Sequence, residues 1–124
     1  MQTERTEAVP YALTVARACA ELAADAINDG ALPTQLAATL SAAAKGAADR
    51  LDRFLCAKGE SLSTDARRLL LNAQMDLEAV AQIAGLVVTN HLTPRNATCV
   101  AMSARYTAEQ AVKHLKHAEE ELGD

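Results

Sequence analysis

The C-terminal part of the chain carries an apolar repeat that constrains the fold more than any other feature of the sequence. From residue 97 onward, mostly small apolar residues recur at alternating steps of four and three positions. They are Ala97, Ala101, Ala104, Ala108, Ala111, Leu115, Ala118 and Leu122. This spacing keeps all of them on one side of an α-helix. The sequence therefore predicts a long amphipathic helix, opened by Thr93 and Pro94, that must pack against other helices.

Two earlier helices are predicted from the positions of proline and glycine. The first should start within residues 7–10, because proline is tolerated best in a first helical turn. Gly30 should end this helix in a left-handed conformation. The second should start at Pro33 or Thr34, and Gly59 should end it.

A third helix is predicted between the second helix and Thr93. Ser63 or Thr64 can cap its start, Asp65 places a negative charge in its first turn, and residues 90–92 should end it. In the middle of the second helix, Gly46 costs about 1 kcal/mol relative to alanine. It marks either a close crossing of two helices or a position where glycine is merely tolerated.

The four predicted helices should form one all-α domain over residues 1–124, with polar residues 1–7 frayed. We call the apolar positions of each helix that should face the interior its core repeat. The first three core repeats are Ala12, Val15, Cys19, Leu22 and Ala26; Ala37, Leu40, Ala44, Ala47, Leu51 and Phe54; and Ala66, Leu70, Ala73, Leu77, Val80, Ala84 and Val87. Short loops between such helices predict an antiparallel, up-down-up-down four-helix bundle with an alanine-rich core.

Charge and composition exclude several classes of partner. The net charge is −4, and only two tyrosines and one phenylalanine are present, so no basic or base-stacking surface for direct nucleic-acid binding is expected. No stretch approaches the roughly 20 apolar residues that a membrane-spanning helix needs. Glu4, Arg5 and Glu7 precede any apolar run, so no signal peptide is expected.

The cysteines favour a reducing compartment. Three cysteines cannot all pair within one chain, and Cys19, Cys56 and Cys99 show no metal-binding spacing. Reduced thiols in the cytoplasm are therefore expected. We expect Cys19 to be a small buried apolar residue, because it belongs to the first core repeat.

The third and fourth helices carry more apolar residues than one core repeat requires. In the third helix the extra positions are Leu71, Met75, Ala79 and Leu86, and in the fourth they are Cys99, Met102 and Tyr106. A helix that is apolar on two faces is either central to a core or covered by another molecule. We therefore predict a protein interface formed by Leu71, Met75, Leu86, Cys99, Met102 and Tyr106. The alternative is a skewed bundle in which the third helix lies centrally and buries its extra residues within one chain.

Histidines near the end of the fourth helix are the main candidates for chemistry. His114 and His117 lie one turn apart, with Glu121 one turn further, as in a site for a divalent metal. The simpler interpretation is a solvated polar face. We expect no metal, no cofactor and no catalytic residue, because neither a second ligand cluster nor a Ser/His/Asp set is visible.

The run His114-Leu115-Lys116 resembles the phosphorylated-histidine motif of histidine phosphotransfer domains, which are also four-helix bundles of this size. The resemblance implies a phosphoryl-accepting role for His114. In that family one residue separates the histidine from the leucine and a glycine follows the lysine. Here Leu115 follows His114 directly, and His117 takes the place of the glycine.

The sequence therefore favours a non-enzymatic interaction module: an adaptor, regulator or inhibitor that occupies a partner surface through the outer faces of helices 3 and 4. The partner would be a second copy of the chain or another protein. Two alternatives remain, a bundle that binds a small molecule or metal and a phosphotransfer-like domain. The first of these requires a cavity among the core alanines, which close helix packing would eliminate.

Overall fold

A computed structural model describes the backbone of residues 2–123 and the side chains of residues 8–123. Over this range the chain forms four long helices and no strand. The helices are α1 (Gln2–Asp29), α2 (Thr34–Lys58), α3 (Thr64–Thr89) and α4 (Thr98–Gly123), with a 3₁₀ turn at Gly59–Ser61. The predicted all-α fold is confirmed.

The helices form a closed ring around one core. Contacts join α1 to α2, α2 to α3, α3 to α4 and α4 back to α1, and the α1–α2 contact is the smallest of these. Because the connections are short, sequence neighbours run in opposite directions. The arrangement is the predicted four-helix bundle.

The core repeats of α2, α3 and α4 are confirmed. Every predicted member is buried, except that Leu122 at the end of α4 is half-buried. The buried set contains 19 alanines, so close helix packing rather than large side chains fills the interior. No polar or charged residue is fully buried among those described.

The predicted core repeat of α1 is partly wrong. Ala16 and Ala23 are fully buried, whereas the predicted Val15 and Leu22 are only half-buried. Each pair differs by one residue, which is a rotation of about 100° on the helix. The alanines let α1 approach its neighbours closely, and the larger side chains cover the edge of the core.

The start of α1 is also earlier than predicted. The helix begins at Gln2, so Pro10 lies inside it rather than in its first turn. Proline removes one backbone donor, and α1 continues despite this single missing bond. The prediction that residues 1–7 are frayed stays a prediction, because the side chains of these residues lie outside the described part of the chain.

Gly30 ends α1 as predicted. Its φ is 72°, in the left-handed region that glycine adopts without a steric penalty. The Gly30 N–H donates to the Ile27 carbonyl at 3.2 Å, and the Ala31 N–H donates to the Ala26 carbonyl at 3.1 Å. This pair of bonds is a Schellman motif, which satisfies carbonyls that the helix end would otherwise leave free.

The end of α3 uses the same motif with histidine in place of glycine. His91 has a φ of 53°, its N–H donates to the Val88 carbonyl at 3.4 Å, and the Leu92 N–H donates to the Val87 carbonyl at 3.1 Å. The predicted end within residues 90–92 is confirmed. A left-handed histidine costs roughly 1–2 kcal/mol that glycine would not.

The connection between α2 and α3 was predicted only in part. Ser63 caps α3, since its hydroxyl accepts the Ala66 N–H at 3.1 Å. Gly59 ends α2 as predicted, with a right-handed φ of −56° and ψ of −38°. Its N–H donates to the Leu55 carbonyl, and the chain passes directly into the 3₁₀ turn.

The regular part of α4 begins later than Thr93. The Thr93 hydroxyl does accept the Asn96 N–H at 3.2 Å, as an N-cap would. The Pro94 carbonyl, however, accepts the Leu32 N–H from the α1–α2 connection at 2.7 Å. The Thr98 N–H therefore donates to the Arg95 carbonyl, three residues earlier, rather than to the Pro94 carbonyl. The regular α-helix starts at Thr98.

Gly46 does not mark a close helix crossing. A methyl group at this position would meet no atom within 4 Å. The close approach between α2 and α3 lies at Gly85, where a methyl group would be 3.6 Å from the Ser41 hydroxyl oxygen. That hydroxyl donates to the Ala81 carbonyl at 2.8 Å, which joins the two helices.

We expect Gly46→Ala to raise the free energy of unfolding by about 1 kcal/mol, because alanine has the higher helix propensity and space is available. Urea unfolding measures this gain. Gly30→Ala is the matched control and should be destabilising, since its φ is unfavourable for a side chain. A loss of stability in Gly46→Ala would contradict the open space around this position.

Candidate functional site

The six residues predicted to form an interface are all exposed on the isolated chain. Leu71 is 45% exposed, Met75 64%, Leu86 49%, Met102 58% and Tyr106 66%, and Cys99 is also exposed. We call these six residues the outer surface. The alternative in which α3 lies centrally and buries its extra residues is therefore wrong. Whether another molecule covers the outer surface stays a prediction.

A hydrogen bond between α3 and α4 fixes which parts of the outer surface lie side by side. The Asp76 Oδ2 and His114 Nδ1 atoms are 2.8 Å apart. Because the helices are antiparallel, counting from this pair places Leu86 level with the turn of α4 between Met102 and Tyr106. The structure thus brings these three residues to the same end of the bundle.

Leu71 and Met75 lie further along α3. At about 1.5 Å per residue, Met75 is about 16 Å from the level of Leu86, and Leu71 about 22 Å. The outer surface is therefore an extended strip along α3 with a broader end at α4, rather than a single compact patch.

The broader end of this strip carries few formal charges. Residues 79–94 and 96–104 contain no Asp, Glu, Lys or Arg. The first charged side chains of α4, Arg105 and Glu109, pair with each other at 3.2 Å. Val88 is 37% exposed at the same end of the bundle, but it lies about 200° from Leu86 around α3 and is therefore not part of the outer surface.

The histidines differ from the predicted solvated face. His114 is half-buried through its bond to Asp76, and His117 is exposed. Asp76 lies 38 residues earlier in the chain, so no local spacing could have revealed the pair. Among residues 8–123, no three His, Cys, Asp or Glu side chains are placed to hold a metal ion together.

Polar residues cluster between α2 and α3. The Lys45 ammonium lies 3.1 Å from Asp49, and this hydrogen bond is the main cause of the raised pKa of Lys45. The Gln74 amide donates to Asp52 at 3.3 Å and approaches Glu78 at 3.5 Å. Pairs this exposed contribute little to stability.

The surface cavities lined by described residues include the following two. One of about 360 Å³ is lined by Ser41, Lys45, Glu78, Ala81 and Gln82, and one of about 470 Å³ by Cys56, Ala57, Lys58, Glu60 and Ser61. Neither is lined by an alanine of the α4 core repeat. Both are shallow and carry no convergent set of catalytic groups.

The three thiols are free, and their environments differ. Cys19 is buried as predicted, and burial raises the pKa of its thiol to about 11. Cys56 and Cys99 are exposed. A thiol with so high a pKa holds almost no thiolate near neutral pH, so Cys19 is unsuited to nucleophilic chemistry.

None of the helices in the described part of the chain combines the length and the apolar character that crossing a lipid bilayer requires. Comparison with family models, with curated proteins and with solved structures gives no match for this chain.

Proposed function

We propose that this chain is a non-enzymatic protein-interaction module that acts by docking the outer surface of α3 and α4 on another protein surface. One observation carries the proposal: five large apolar side chains are 45–66% exposed on two adjacent helices. Contiguous apolar area on a small protein usually marks an interaction site. An adaptor, a regulator or an inhibitor would all use such a surface.

The residue types support an interface rather than accidental exposure. Methionine is flexible and polarisable, so Met75 and Met102 can adapt to a partner surface. Tyrosine is common among the residues that contribute most to binding, and Tyr106 is the most exposed large apolar residue described. Covering these exposed apolar side chains with a partner would contribute about 25 cal/mol of favourable free energy per Å² of apolar surface buried.

The contrast with the rest of the surface supports the same proposal. Lys45 lies on α2, whereas Arg68 and Arg105 border the strip, and each of the three pairs with an acidic residue on its own helix. The outer surface holds no such pair. We also propose a cytoplasmic location, since all three thiols are free and two of them are exposed.

We expect Met75→Glu to weaken association at least tenfold, because a carboxylate within the strip would have to be desolvated on binding. Light scattering over a concentration series measures self-association. Affinity purification with quantified stoichiometry measures a second protein. Far-UV circular dichroism should be unchanged, since Met75 is exposed.

Ala42→Glu is the matched control, because Ala42 is exposed on α2 and lies outside the outer surface. It should leave association intact. The proposal is wrong if the wild type neither self-associates nor retains a stoichiometric partner. It is also wrong if Met75→Glu binds like the wild type, or if this change unfolds the chain while Ala42→Glu does not.

A further inference from the structure

We infer that His114 and His117 of α4 together bind one divalent ion of the imidazole-preferring transition metals, with Asp76 of α3 holding the His114 ring in the binding orientation. The inference goes beyond the proposed function and does not depend on it. Three observations carry it: the bond between Asp76 and His114, the open second nitrogen of His114, and the exposed His117 ring one helical turn away.

The bond between Asp76 and His114 determines which ring nitrogen of the histidine is available. The Asp76 Oδ2 and His114 Nδ1 atoms are 2.8 Å apart, and both side chains are half-buried. A carboxylate only accepts hydrogen bonds, so Nδ1 carries the ring proton and donates it. In the neutral ring the free lone pair is then on Nε2, and a neutral imidazole with a free lone pair is the form that binds metals.

The Nε2 atom of His114 is open to a ligand. It makes no hydrogen bond within the described part of the chain, and it is not among the buried polar atoms that lack a partner. Solvent therefore reaches it. A histidine that donates one ring N–H to a carboxylate and leaves its other nitrogen open has the arrangement of most metal-binding histidines. In that arrangement the carboxylate fixes the tautomer and the ring orientation, so Asp76 is a positioning residue.

His117 supplies the second imidazole. It follows His114 by three residues, so the two Cβ atoms are about 5–6 Å apart on the same face of α4. Because His117 is exposed, its ring is free to turn toward the His114 Nε2 atom without disturbing the core. Lys113 and Glu121 lie one turn before and one turn after His117, so their opposite charges offset each other around the site.

The ligand set selects the class of ion. Among residues 8–123 no third His, Cys, Asp or Glu side chain completes a cluster, so water would fill the remaining coordination positions. Imidazole nitrogen suits Zn²⁺, Ni²⁺ and Cu²⁺, whereas Mg²⁺ and Ca²⁺ prefer oxygen ligands. With only two protein ligands the site is open and exchangeable, unlike the four-ligand sites that hold a structural zinc ion. An ion bound to the folded chain stabilises it by mass action.

Calorimetric titration of the tag-free chain with Zn²⁺ should give one ion per chain, and Mg²⁺ should give no binding. Zn²⁺ should also raise the melting temperature. His114→Gln and His117→Gln should each weaken Zn²⁺ binding at least tenfold, because each removes one imidazole. Asp76→Asn should weaken it about tenfold, since asparagine still accepts the Nδ1–H bond but lacks the charge that makes the ring a better ligand. Without metal, the melting temperature of Asp76→Asn should equal that of the wild type.

The chain offers matched controls elsewhere. His91→Asn removes an exposed histidine at the opposite end of α3, in a left-handed conformation that asparagine tolerates, and should bind Zn²⁺ like the wild type. A variant with both Cys56→Ser and Cys99→Ser should do the same, which excludes the exposed thiols as ligands. In NMR spectra of the wild type, added Cu²⁺ should broaden the ring signals of His114 and His117 before those of His91.

Several results would overturn the inference. They are the absence of saturable Zn²⁺ binding in the wild type, unchanged binding in either glutamine variant or in the asparagine variant at position 76, and loss of binding in the position-91 or thiol-free control. None of these results bears on the outer surface, so the proposed function is tested separately by the association of Met75→Glu.

Discussion

Replacing Leu77 with alanine should lower the free energy of unfolding by about 2–5 kcal/mol. Leu77 is completely buried in the middle of α3, the helix that packs against both α2 and α4. Alanine would remove the apolar contacts of three carbon atoms and leave a cavity. Because the neighbouring core is closely packed and largely alanine, few side chains can move to fill it.

Leu71→Ala is the control for this prediction, since the same substitution on the same helix affects a residue that is 45% exposed. Urea unfolding at low protein concentration, where association does not contribute, should show a change within about 0.5 kcal/mol for Leu71→Ala. A change that small for Leu77→Ala would contradict its position in the core.

Periodicity was sufficient to predict the core faces of α2, α3 and α4, because their large buried residues occur only at core spacing. Only one rotation of α3 about its axis buries Leu70 and Leu77, and only one rotation of α4 buries Leu115. In α1 the same method failed in part. Apolar residues occupy so many positions there that two repeats fit, and both contain Ala12 and Cys19. Only the contact with neighbouring helices decides which of the two is buried.

The sequence predicted a helix end correctly where the capping hydrogen bonds join residues that are close together in the chain. Gly30 and Ser63 act within a few residues of their own positions, so sequence was enough to predict them. The start of α4 depends on the bond from Leu32 to Pro94, across 62 residues. Such a bond exists only once the bundle has formed, and no local pattern predicts it.

For the candidate site, the sequence predicted which side chains would be exposed but not how they would be grouped. Helical spacing alone identifies the second face of α3 and of α4. The level of Leu86 relative to Tyr106 depends on the register between the two helices. That register is fixed by the turn around His91 and by the Asp76–His114 bond.

Replacing Ala108 with leucine should lower the free energy of unfolding by about 1–3 kcal/mol. Ala108 is completely buried in the middle of the α4 core repeat. Close helix packing uses the small size of this side chain, so three additional carbon atoms would force the helices apart or force neighbouring side chains out of their preferred rotamers.

This substitution also separates the interaction module from the alternative of a small-molecule binder. A ligand cavity among the core alanines would accept the larger side chain, and Ala108→Leu would then be neutral or stabilising. Ala42→Leu, at an exposed position of α2, measures the effect of the same change without the core. Urea unfolding should show a lower free energy of unfolding for Ala108→Leu and an unchanged one for Ala42→Leu. A gain there would mean that the core holds unfilled space, and the function would have to be sought inside the bundle rather than on its outer surface.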